Sequence, residues 1–290
     1  MYLPPKKSLG QHFLNSKHVL KQIINAANIK KGETILEIGP GTGILTEALS
    51  NAGAKVIAVE KDERAHELLR TKFFKQAAAG DFTLIHGDIL EDSTDFIPKG
   101  QYSIVANIPY YITGAILQKF LECEYRPDKM ILLVQKEVAN RIVAKDGKES
   151  ILSISVKAFG TPKIIATVPP GAFTPPPTVD SAILAIENIK NTFFAENNLK
   201  IDRFFEIVRA GFAHKRKFLI SNLKSVMKDD DLKRIWQELG LDPKIRAEDL
   251  TKDQWLKIGK CHSFHQNQSS VIPAKAGIQC NVKCKYQNEK

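Results

Sequence analysis

The sequence predicts an α/β fold in which a mostly parallel, Rossmann-like sheet is followed by a small all-α region. Short β-favouring segments alternate with stretches of helical periodicity as far as residue 145, which is the pattern of βαβ units. One predicted strand, 34–38, runs directly into the glycine-rich turn Gly39–Gly43. A strand, a glycine turn and a helix in this order are typical of sheets that bind nucleotide-like ligands.

The predicted elements of the sheet follow in chain order. Asn15 and Ser16 can each cap a first helix, whose apolar residues recur at helical spacing. Runs of β-favouring residues predict strands at 34–38, 55–60, 82–88, 102–111 and 129–135. Apolar positions three and four residues apart predict helices between them, one of which is Glu63–Lys75.

Three further β-rich segments are predicted to complete the sheet. They cover residues 150–159, 163–168 and 181–187, and the proline-dense stretch 169–181 joins the last two. Because no crossover helix is predicted between them, we expect antiparallel strands added at the edge of the sheet.

The character of the chain changes near residue 188. Helical spacing dominates from there to residue 262, after which the sequence is polar and without amphipathic period. We therefore predict a catalytic domain at 1–188, a helical domain at 189–262 and a disordered tail at 263–290.

Charge and composition restrict the function. Lys and Arg number 42 against 32 Asp and Glu, which gives a net charge of +10. This excess favours a polyanionic partner such as nucleic acid, although a basic surface without a partner is the alternative. No wholly apolar run is longer than the five residues of 130–134, which is too short for a signal peptide or a membrane span. We expect a soluble cytoplasmic protein with its four cysteines reduced.

The glycine turn distinguishes between two ligand classes. Gly39, Gly41 and Gly43 do not fit the dinucleotide pattern G-x-G-x-x-G, whose last position would be Ile44. Glycine turns after a strand are shared by dinucleotide-binding dehydrogenases and by methyltransferases that use S-adenosylmethionine, and this spacing disfavours the dehydrogenases. Glu60 ends the second predicted strand, where an acidic residue can bind ribose hydroxyls.

A second carboxylate, Asp88, follows the third predicted strand. Either carboxylate alone would be an ordinary solvated side chain at the end of a strand. Since the ends of parallel strands meet at one edge of a sheet, the two carboxylates and the glycine turn together predict a pocket for adenosine.

The strongest motif is Asn107-Ile108-Pro109-Tyr110, at the end of the fourth predicted strand. Asn107 provides an amide oxygen, the segment at Pro109 cannot be helical and leaves carbonyls free, and Tyr110 provides a flat ring. A strand that ends in a proline turn would account for Pro109 but not for this grouping. The motif could hold a planar amine, such as adenine N6, through two accepted hydrogen bonds and one stacked face.

Several motifs together resemble one family. They are GQHFL at 10–14, EIGPGTG at 37–43, Glu60, Gly87-Asp88, NIPY at 107–110, FTPPPTVDS at 173–181 and FAHKRKFLISNL at 212–223. In this order they resemble the ribosomal RNA adenine N6,N6-dimethyltransferases, the kasugamycin-sensitivity enzymes of bacteria that act on 16S rRNA. The resemblance covers roughly residues 6–260.

The resemblance implies an activity and its site. The implied substrate is a pair of adjacent adenosines in the loop of the 3′-terminal hairpin of 16S rRNA, within the 30S subunit. The residues implied to bind S-adenosylmethionine are His12, Leu14, Gly39, Gly41, Glu60, Asp88 and Asn107. His12 stands where the family often has Asn.

The resemblance also implies how the target base is held. Asn107 and the Pro109 carbonyl would accept hydrogen bonds from adenine N6, Tyr110 would stack on the base, and Phe173 would cover its other face. It further implies a monomer without a metal cofactor.

A basic cluster is the predicted RNA contact. Lys215, Arg216 and Lys217 lie at a predicted helix end, where they could equally form a solvated charged turn. In a basic protein we expect phosphate contacts from them. Weaker candidates are Lys6, Lys7 and Arg141.

Alternative functions remain at this point. A zinc site could be imagined from Cys261, His262, His265, Cys280 and Cys284, but their spacing matches no common zinc pattern. The nearest rival enzyme is the related methyltransferase of 23S rRNA. Enzymes with Asn-Pro-Pro-Tyr that act on DNA adenine or protein glutamine are more distant, since Ile108 takes the second position. A ribosome-assembly factor is the alternative from another class.

Overall fold

A computed structural model describes residues 3–6, 9–91 and 96–266. Its centre is a seven-stranded sheet in the order β4-β3-β2-β5-β6-β9-β7. The strands are β2 Thr34–Ile38, β3 Lys55–Glu60, β4 Phe82–His86, β5 Ser103–Asn107, β6 Met130–Gln135, β7 Thr161–Val168 and β9 Ser181–Glu187. The two-residue strands β1 Phe13–Leu14 and β8 Phe173–Thr174 form a separate antiparallel pair.

The pairing of the strands confirms the predicted fold class. Within the part of the sheet ordered β4-β3-β2-β5-β6, every pair of adjacent strands is parallel. Strand β9 pairs antiparallel with both β6 and β7. The chain begins the sheet at β2, extends it to β3 and β4 on one side, and continues with β5 on the other. Strand order therefore reverses between β2 and β5, and ligands bind at such a reversal, outside the carboxyl ends of the strands.

The helices of the sheet region connect most of these strands. They are α1 Lys17–Ala27, α2 Ile44–Asn51, α3 Glu63–Lys72, α4 Phe74–Ala78, α5 Thr113–Glu122, α6 Lys136–Val143 and α7 Ile151–Phe159. Ser16 caps α1, where its side chain accepts a hydrogen bond from the Val19 N–H. The predicted helix 63–75 is interrupted at Phe73, a residue packed against the glycine turn.

The prediction of a strand at 150–159 is wrong, because Ile151–Phe159 forms the helix α7. A capping box starts this helix: the Ser150 side chain accepts from the Ser153 N–H, and the Ser153 side chain accepts from the Ser150 N–H. Apolar and polar residues alternate from 152 to 158, which is the period of a strand. The capping box and the packing of α7 against both the sheet and the helical region override this local pattern.

The region after residue 188 is helical, as predicted. Its helices are α8 Thr192–Glu196, α9 Ile201–Phe212, α10 Leu219–Leu223, α11 Asp229–Leu239 and α12 Lys252–Gln266. One hydrophobic cluster continues from the sheet into these helices. At the junction, the Phe159 ring of α7 lies 5.1 Å from the Phe194 ring and 6.1 Å from the Phe205 ring. The helical region therefore packs directly on the sheet region.

The end of the helical region differs from the prediction. Helix α12 extends to Gln266, four residues beyond the predicted end of the domain at 262, so the predicted tail 263–290 begins inside a helix. Residues 267–290 lie outside the described part of the chain. None of the described helices combines the length and the apolar character required to cross a membrane.

Candidate active site

The glycine turn is built so that other segments approach its backbone closely. Gly41 and Gly43 have φ of +56° and +73°, which favours glycine. A Cβ at Gly43 would lie 2.6 Å from a ring atom of Phe73, and a Cβ at Gly41 would lie 2.9 Å from the ring of Phe13. The turn thus packs between α3 and the N-terminal segment, and its open side faces the carboxyl edge of the sheet.

Glu60, at the end of β3, supports this turn. Its Oε2 accepts from the Gly41 N–H at 2.9 Å and its Oε1 accepts from the Asp62 N–H at 2.8 Å. Burial raises the pKa of Glu60, and the hydrogen bonds from Asp62 and Gly41 counter part of that rise. Each carboxyl oxygen retains a second lone pair, so Glu60 can still accept hydrogen bonds from ligand hydroxyls.

Asp88 lies beyond the end of β4 and is more exposed. Its Oδ2 lies 2.6 Å from Lys61 Nζ and its Oδ1 accepts from the Leu90 N–H at 3.0 Å. Burial tends to raise the pKa of Asp88, but the hydrogen bonds from Lys61 and Leu90 outweigh it and the pKa is lowered. Asp88 is therefore an ionised acceptor at neutral pH.

Asn107 is the last residue of β5, and a backbone carbonyl of the N-terminal segment orients its side chain. Its Nδ2 donates to the His12 carbonyl at 3.0 Å. A carbonyl can only accept, so the amide nitrogen must face His12 and the amide oxygen must point away from it. Within the described residues, Asn107 Oδ1 accepts no hydrogen bond and remains available to a ligand donor.

The residues after Asn107 form a tight turn. The Pro109 carbonyl accepts from the Ile112 N–H at 3.2 Å, which leaves it one lone pair. Tyr110 Oη lies 2.6 Å from Ser181 Oγ, and burial raises the pKa of this phenol. The Tyr110 ring is stacked with the His12 ring, with centroids 5.9 Å apart.

These groups surround one cavity of about 190 Å³. The predicted site residues among its walls are His12, Gly39, Gly41, Glu60, Asp88, Asn107, Pro109 and Tyr110. The structure thus brings together residues from four strand ends and the N-terminal segment. Two glycines, two carboxylates, a free amide oxygen and an aromatic ring in one cavity can hold a nucleoside beside a planar amine.

Two predicted site residues do not line this cavity. Leu14 and Phe173 oppose each other in the β1–β8 pair and are 4% and 3% exposed. Both belong to the core cluster on the α1 face of the sheet. A base contact from Phe173 would require its side chain to leave this core, and a ligand contact from Leu14 would have to come from its backbone.

Other residues of the site were not predicted. The buried carboxylate Asp62 accepts hydrogen bonds from Gln11 and Lys6, which lie more than fifty residues away in sequence. Tyr111 is 67% exposed at the cavity wall, with its ring 3.2 Å from where a Gly10 Cβ would lie. Tyr111 follows the recognised motif directly and could have been found from that position, whereas the contacts of Asp62 depend on the tertiary fold.

The predicted RNA contacts Lys215, Arg216 and Lys217 lie in the exposed turn between α9 and α10. The buried Asn222 orders this turn, since its Nδ2 donates to the Gly211 carbonyl at 2.6 Å and to the His214 carbonyl at 3.2 Å. In the part of the chain that the structure describes, none of the three cations forms an ion pair.

A groove of about 620 Å³ lies beside this basic turn, and both Lys215 and Arg141 line it. Two of the predicted RNA contacts, one from each region of the chain, therefore share one surface. Lys6 forms an ion pair with Asp62 instead, and Lys7 lies outside the described residues.

The structure does not describe the side chains of the five zinc-ligand candidates. Cys280 and Cys284 lie outside the described residues, and the side chains of Cys261, His262 and His265 are not described. Across the described ranges, no group of three or more His, Cys, Asp and Glu side chains is arranged to hold a metal ion.

Glu37, directly below the glycine turn, is a buried carboxyl group. It is 1% exposed and its Oε2 accepts from Thr46 Oγ1 at 2.7 Å. Burial raises the pKa of Glu37 to about 8, although the Thr46 hydrogen bond lowers it. The folded protein therefore holds a proton on Glu37 at neutral pH.

Glu37→Gln is expected to flatten the dependence of stability on pH. The pKa of Glu37 is about 8 in the folded chain against 4.5 for a free carboxyl, so the folded state binds the proton more tightly. The free energy of unfolding must then fall as pH rises through this interval. The glutamine amide can still accept from Thr46 without titrating. Melting temperatures at pH 6 and pH 9 should differ less for the variant than for the wild type, and equal differences would contradict the assignment.

Solved structures share this architecture. A dimethyladenosine transferase from Plasmodium falciparum superposes with a TM-score of 0.73 at 26% identity, covering 85% of this chain and 96% of that one. The 23S rRNA methyltransferase ErmE has the same fold, with a TM-score of 0.69 at 23% identity and coverage of 86% and 98%. The sheet with its single reversed strand, the glycine turn and the Asn107–Tyr110 segment together define a methyltransferase of the Rossmann-like class.

The family is narrower than this class. The family model for ribosomal RNA adenine dimethylase matches residues 4–263, and the chain belongs to that family, as the motifs predicted. A protein of Dehalococcoides mccartyi named ribosomal RNA small subunit methyltransferase A is 43% identical over 261 residues, covering 88% of each chain. A protein of the same name from Fusobacterium nucleatum is 39% identical over 259 residues, covering 88% of this chain and 96% of the relative. The chain is thus an rRNA adenine dimethyltransferase.

Proposed function

We propose that this enzyme transfers methyl groups from S-adenosylmethionine to N6 of two adjacent adenosines in the loop of the 3′-terminal hairpin of 16S rRNA, in the 30S subunit. The main support for this proposal is Asn107 Oδ1, which accepts no hydrogen bond from the described part of the chain and lies in the same cavity as Glu60, Asp88 and Tyr110. The names of the relatives support the small subunit as the substrate. As an enzyme of the ribosome it would act in the cytoplasm, as a monomer.

S-adenosylmethionine fits the donors and acceptors of the cavity. The positive φ at Gly39 and Gly41 favours glycine, and because glycine has no side chain the ligand can approach the backbone of the turn. Glu60 has acceptor capacity for ribose hydroxyls, and ionised Asp88 can accept a hydrogen bond from the adenine amine. When bound, the cofactor supplies an activated methyl group on a sulfonium. The nucleoside part does not require a phosphate site, in agreement with a cavity lined by two carboxylates.

The residues of the Asn107 motif would act on the target base. Adenine N6 is a weak nucleophile because its lone pair is delocalised into the ring. In the first transfer, acceptors at Asn107 Oδ1 and the Pro109 carbonyl would bind its two hydrogens and favour a pyramidal nitrogen, which develops positive charge as the N–C bond forms and the bond from the methyl carbon to sulfur breaks. In the second transfer, one of these acceptors would bind the single remaining hydrogen. The excess proton then leaves N6 to solvent, so no strong base is required before attack.

RNA binding would be divided between the two regions of the chain. A base within a stack cannot reach the cavity, so the target adenosine must be flipped or lie in an open loop, and stacking on Tyr110 would stabilise it there. Lys215 and Arg141 would bind phosphates along the shared groove, and Arg216 and Lys217 would bind them from the exposed turn beside it. Their charge attracts rRNA without reading its sequence.

The cofactor part of the proposal can be tested by calorimetric titration. S-adenosylmethionine and S-adenosylhomocysteine are expected to bind to the purified protein, and NAD is not. Glu60→Gln should weaken both ligands, because the amide presents one acceptor oxygen where the carboxylate presents two. Tight binding of NAD, or unchanged affinity in Glu60→Gln, would contradict the assignment of the cavity.

Two substitutions at Tyr110 separate its ring from its hydroxyl. Tyr110→Phe removes only the contact with Ser181 and should lower the methylation rate less than about tenfold, the scale of one hydrogen bond. Tyr110→Ala also removes the stacking surface, worth about 1–3 kcal/mol per base, and should cost about five- to 150-fold more. Single-turnover rates on undermethylated 30S subunits provide the measurement. Equal losses in the two variants would show that the ring does not stack on the base.

A further inference from the structure

We call the segment before β1, residues 3–6 and 9–12, the N-terminal arm, and its residues 9–12 form part of the cavity wall. Asp62, in the turn after β3, anchors it. Gln11 Nε2 donates to Asp62 Oδ2 at 3.2 Å and Lys6 Nζ lies 3.3 Å from Oδ1. The Gln11 side chain also accepts a hydrogen bond from the Lys6 N–H at 2.8 Å. It therefore links the backbone of both parts of the arm, at Lys6 and at Gln11, to Asp62.

The anchor is a buried charge. The side chain of Asp62 is fully buried, and Arg64 Nη2 donates to it at 2.6 Å. The hydrogen bond from Arg64 lowers the pKa of Asp62, against the effect of burial and together with the contacts from Gln11 and Lys6. A buried carboxylate strongly prefers to keep its donors, because an unpaired buried charge is costly. The arm is therefore held at Asp62 by more than a surface contact.

The other end of the arm touches the catalytic amide. His12 follows Gln11 directly, and its carbonyl accepts the hydrogen bond from Asn107 Nδ2. If the Asn107 amide were reversed, its oxygen would face the oxygen of the His12 carbonyl and repel it. The position of this carbonyl therefore decides whether Asn107 Oδ1 is presented to a ligand.

We propose that Asp62 and Gln11 are positioning residues for methyl transfer: they hold the N-terminal arm so that the His12 carbonyl orients the Asn107 amide oxygen toward the target amine. The inference rests on the proposed role of Asn107 and extends it to a pair of residues that do not touch the base. The chain has separate attachments from His12 onward: Nδ1 of the His12 ring lies 2.8 Å from the Pro175 carbonyl, the Asn15 N–H donates to the Ala172 carbonyl at 2.9 Å, and β1 pairs with β8. Loss of the anchor should therefore loosen the backbone on the Gln11 side of the His12 carbonyl and leave the His12 ring and β1 in place.

Gln11→Ala is the cleaner test, because Asp62 also caps α3 through the Arg64 N–H. At saturating S-adenosylmethionine, Gln11→Ala should lower kcat about tenfold, on the scale of one hydrogen bond. In an Asn107→Ala background the same change should lower the residual rate less than about twofold, since the group it positions is absent. Gln101→Ala, an exposed glutamine at the opposite edge of the sheet, is the matched control and should leave both rates unchanged.

Comparing Gln11→Ala in the wild-type and Asn107→Ala backgrounds, a double-mutant cycle, separates a positioning role from a structural one. An equal loss in both backgrounds, or an unchanged kcat in Gln11→Ala, would overturn the proposal. A second readout does not depend on activity: the side-chain NH₂ of Asn107, identified in NMR spectra by its absence from Asn107→Ala, should exchange with solvent faster in Gln11→Ala. Unchanged exchange would overturn the positioning of Asn107. Faster exchange in Gln11→Ala, when the wild type does not methylate 30S subunits, would support the positioning of Asn107 by the arm and reject the proposed substrate.

Discussion

Asn107→Ala is expected to lower the rate of methyl transfer to 30S subunits about a hundred- to a thousandfold, the loss typical of a single group that stabilises developing charge. Asn107 Oδ1 is the acceptor that the His12 carbonyl leaves free in the cavity, and alanine removes it without replacement. Asn107 is also a proposed cofactor contact, so the affinity for S-adenosylmethionine should be measured separately and the rates compared at saturation.

The matched control is Asn51→Ala, which removes an exposed asparagine at the end of α2 and should leave the rate unchanged. The catalytic assignment is wrong if Asn107→Ala methylates 30S subunits at a rate within about threefold of the wild type. Such a loss is smaller than the loss expected from one typical hydrogen bond. If Asn107→Ala no longer methylates 30S subunits but still supports their assembly in cells, the protein has a second function that depends on binding and not on methyl transfer.

The combined substitution of Lys215, Arg216 and Lys217 by alanine is expected to weaken RNA binding and to reduce its dependence on salt. Each phosphate contact that is lost lowers the slope of log affinity against log salt concentration by about 0.7 to 0.9, so three contacts lower it by about 2.1 to 2.7. The exposed turn and the absence of ion pairs to these side chains within the described residues leave all three available to phosphates. Filter-binding or fluorescence titrations at several salt concentrations provide the slope.

A charge-matched control is available at the opposite edge of the sheet. Lys30, Lys31 and Lys55 are exposed near the amino ends of β2 and β3, far from the carboxyl edge that carries the cavity. Replacing these three with alanine removes the same net charge and should change the slope much less. Equal slopes for the wild type and the Lys215–Lys217 variant would mean that this turn does not contact RNA.

The strands could be predicted from the sequence because their signals are local. The β-favouring run 55–60 matches β3 in full, and Gly39, Glu60, Asp88 and Asn107 were placed at one edge because parallel strands end there. The segment 150–159 was missed because its apolar and polar residues alternate from 152 to 158, which is the period of a strand, whereas its packing on two sides in the folded chain makes it a helix.

Contacts between distant segments could not be predicted in this way. The hydrogen bond from Asn107 to the His12 carbonyl joins residues 95 positions apart, and nothing in either segment specifies the other. The same holds for Gln11 and Asp62. Phe173 was assigned from the resemblance, whereas its packing opposite Leu14 depends on the β1–β8 pair, which is too short to give a pattern in sequence.

The most direct test of the proposed activity is a map of the modified nucleotides. The purified protein is incubated with undermethylated 30S subunits and S-adenosylmethionine labelled in its methyl group, and the labelled positions are located in the RNA. We expect label at N6 of two adjacent adenosines in the loop of the 3′-terminal hairpin of 16S rRNA, and about a hundredth of that label or less with Asn107→Ala after the same short incubation. Label at another position, or label only in 23S rRNA, DNA or protein when these are offered, would contradict the account.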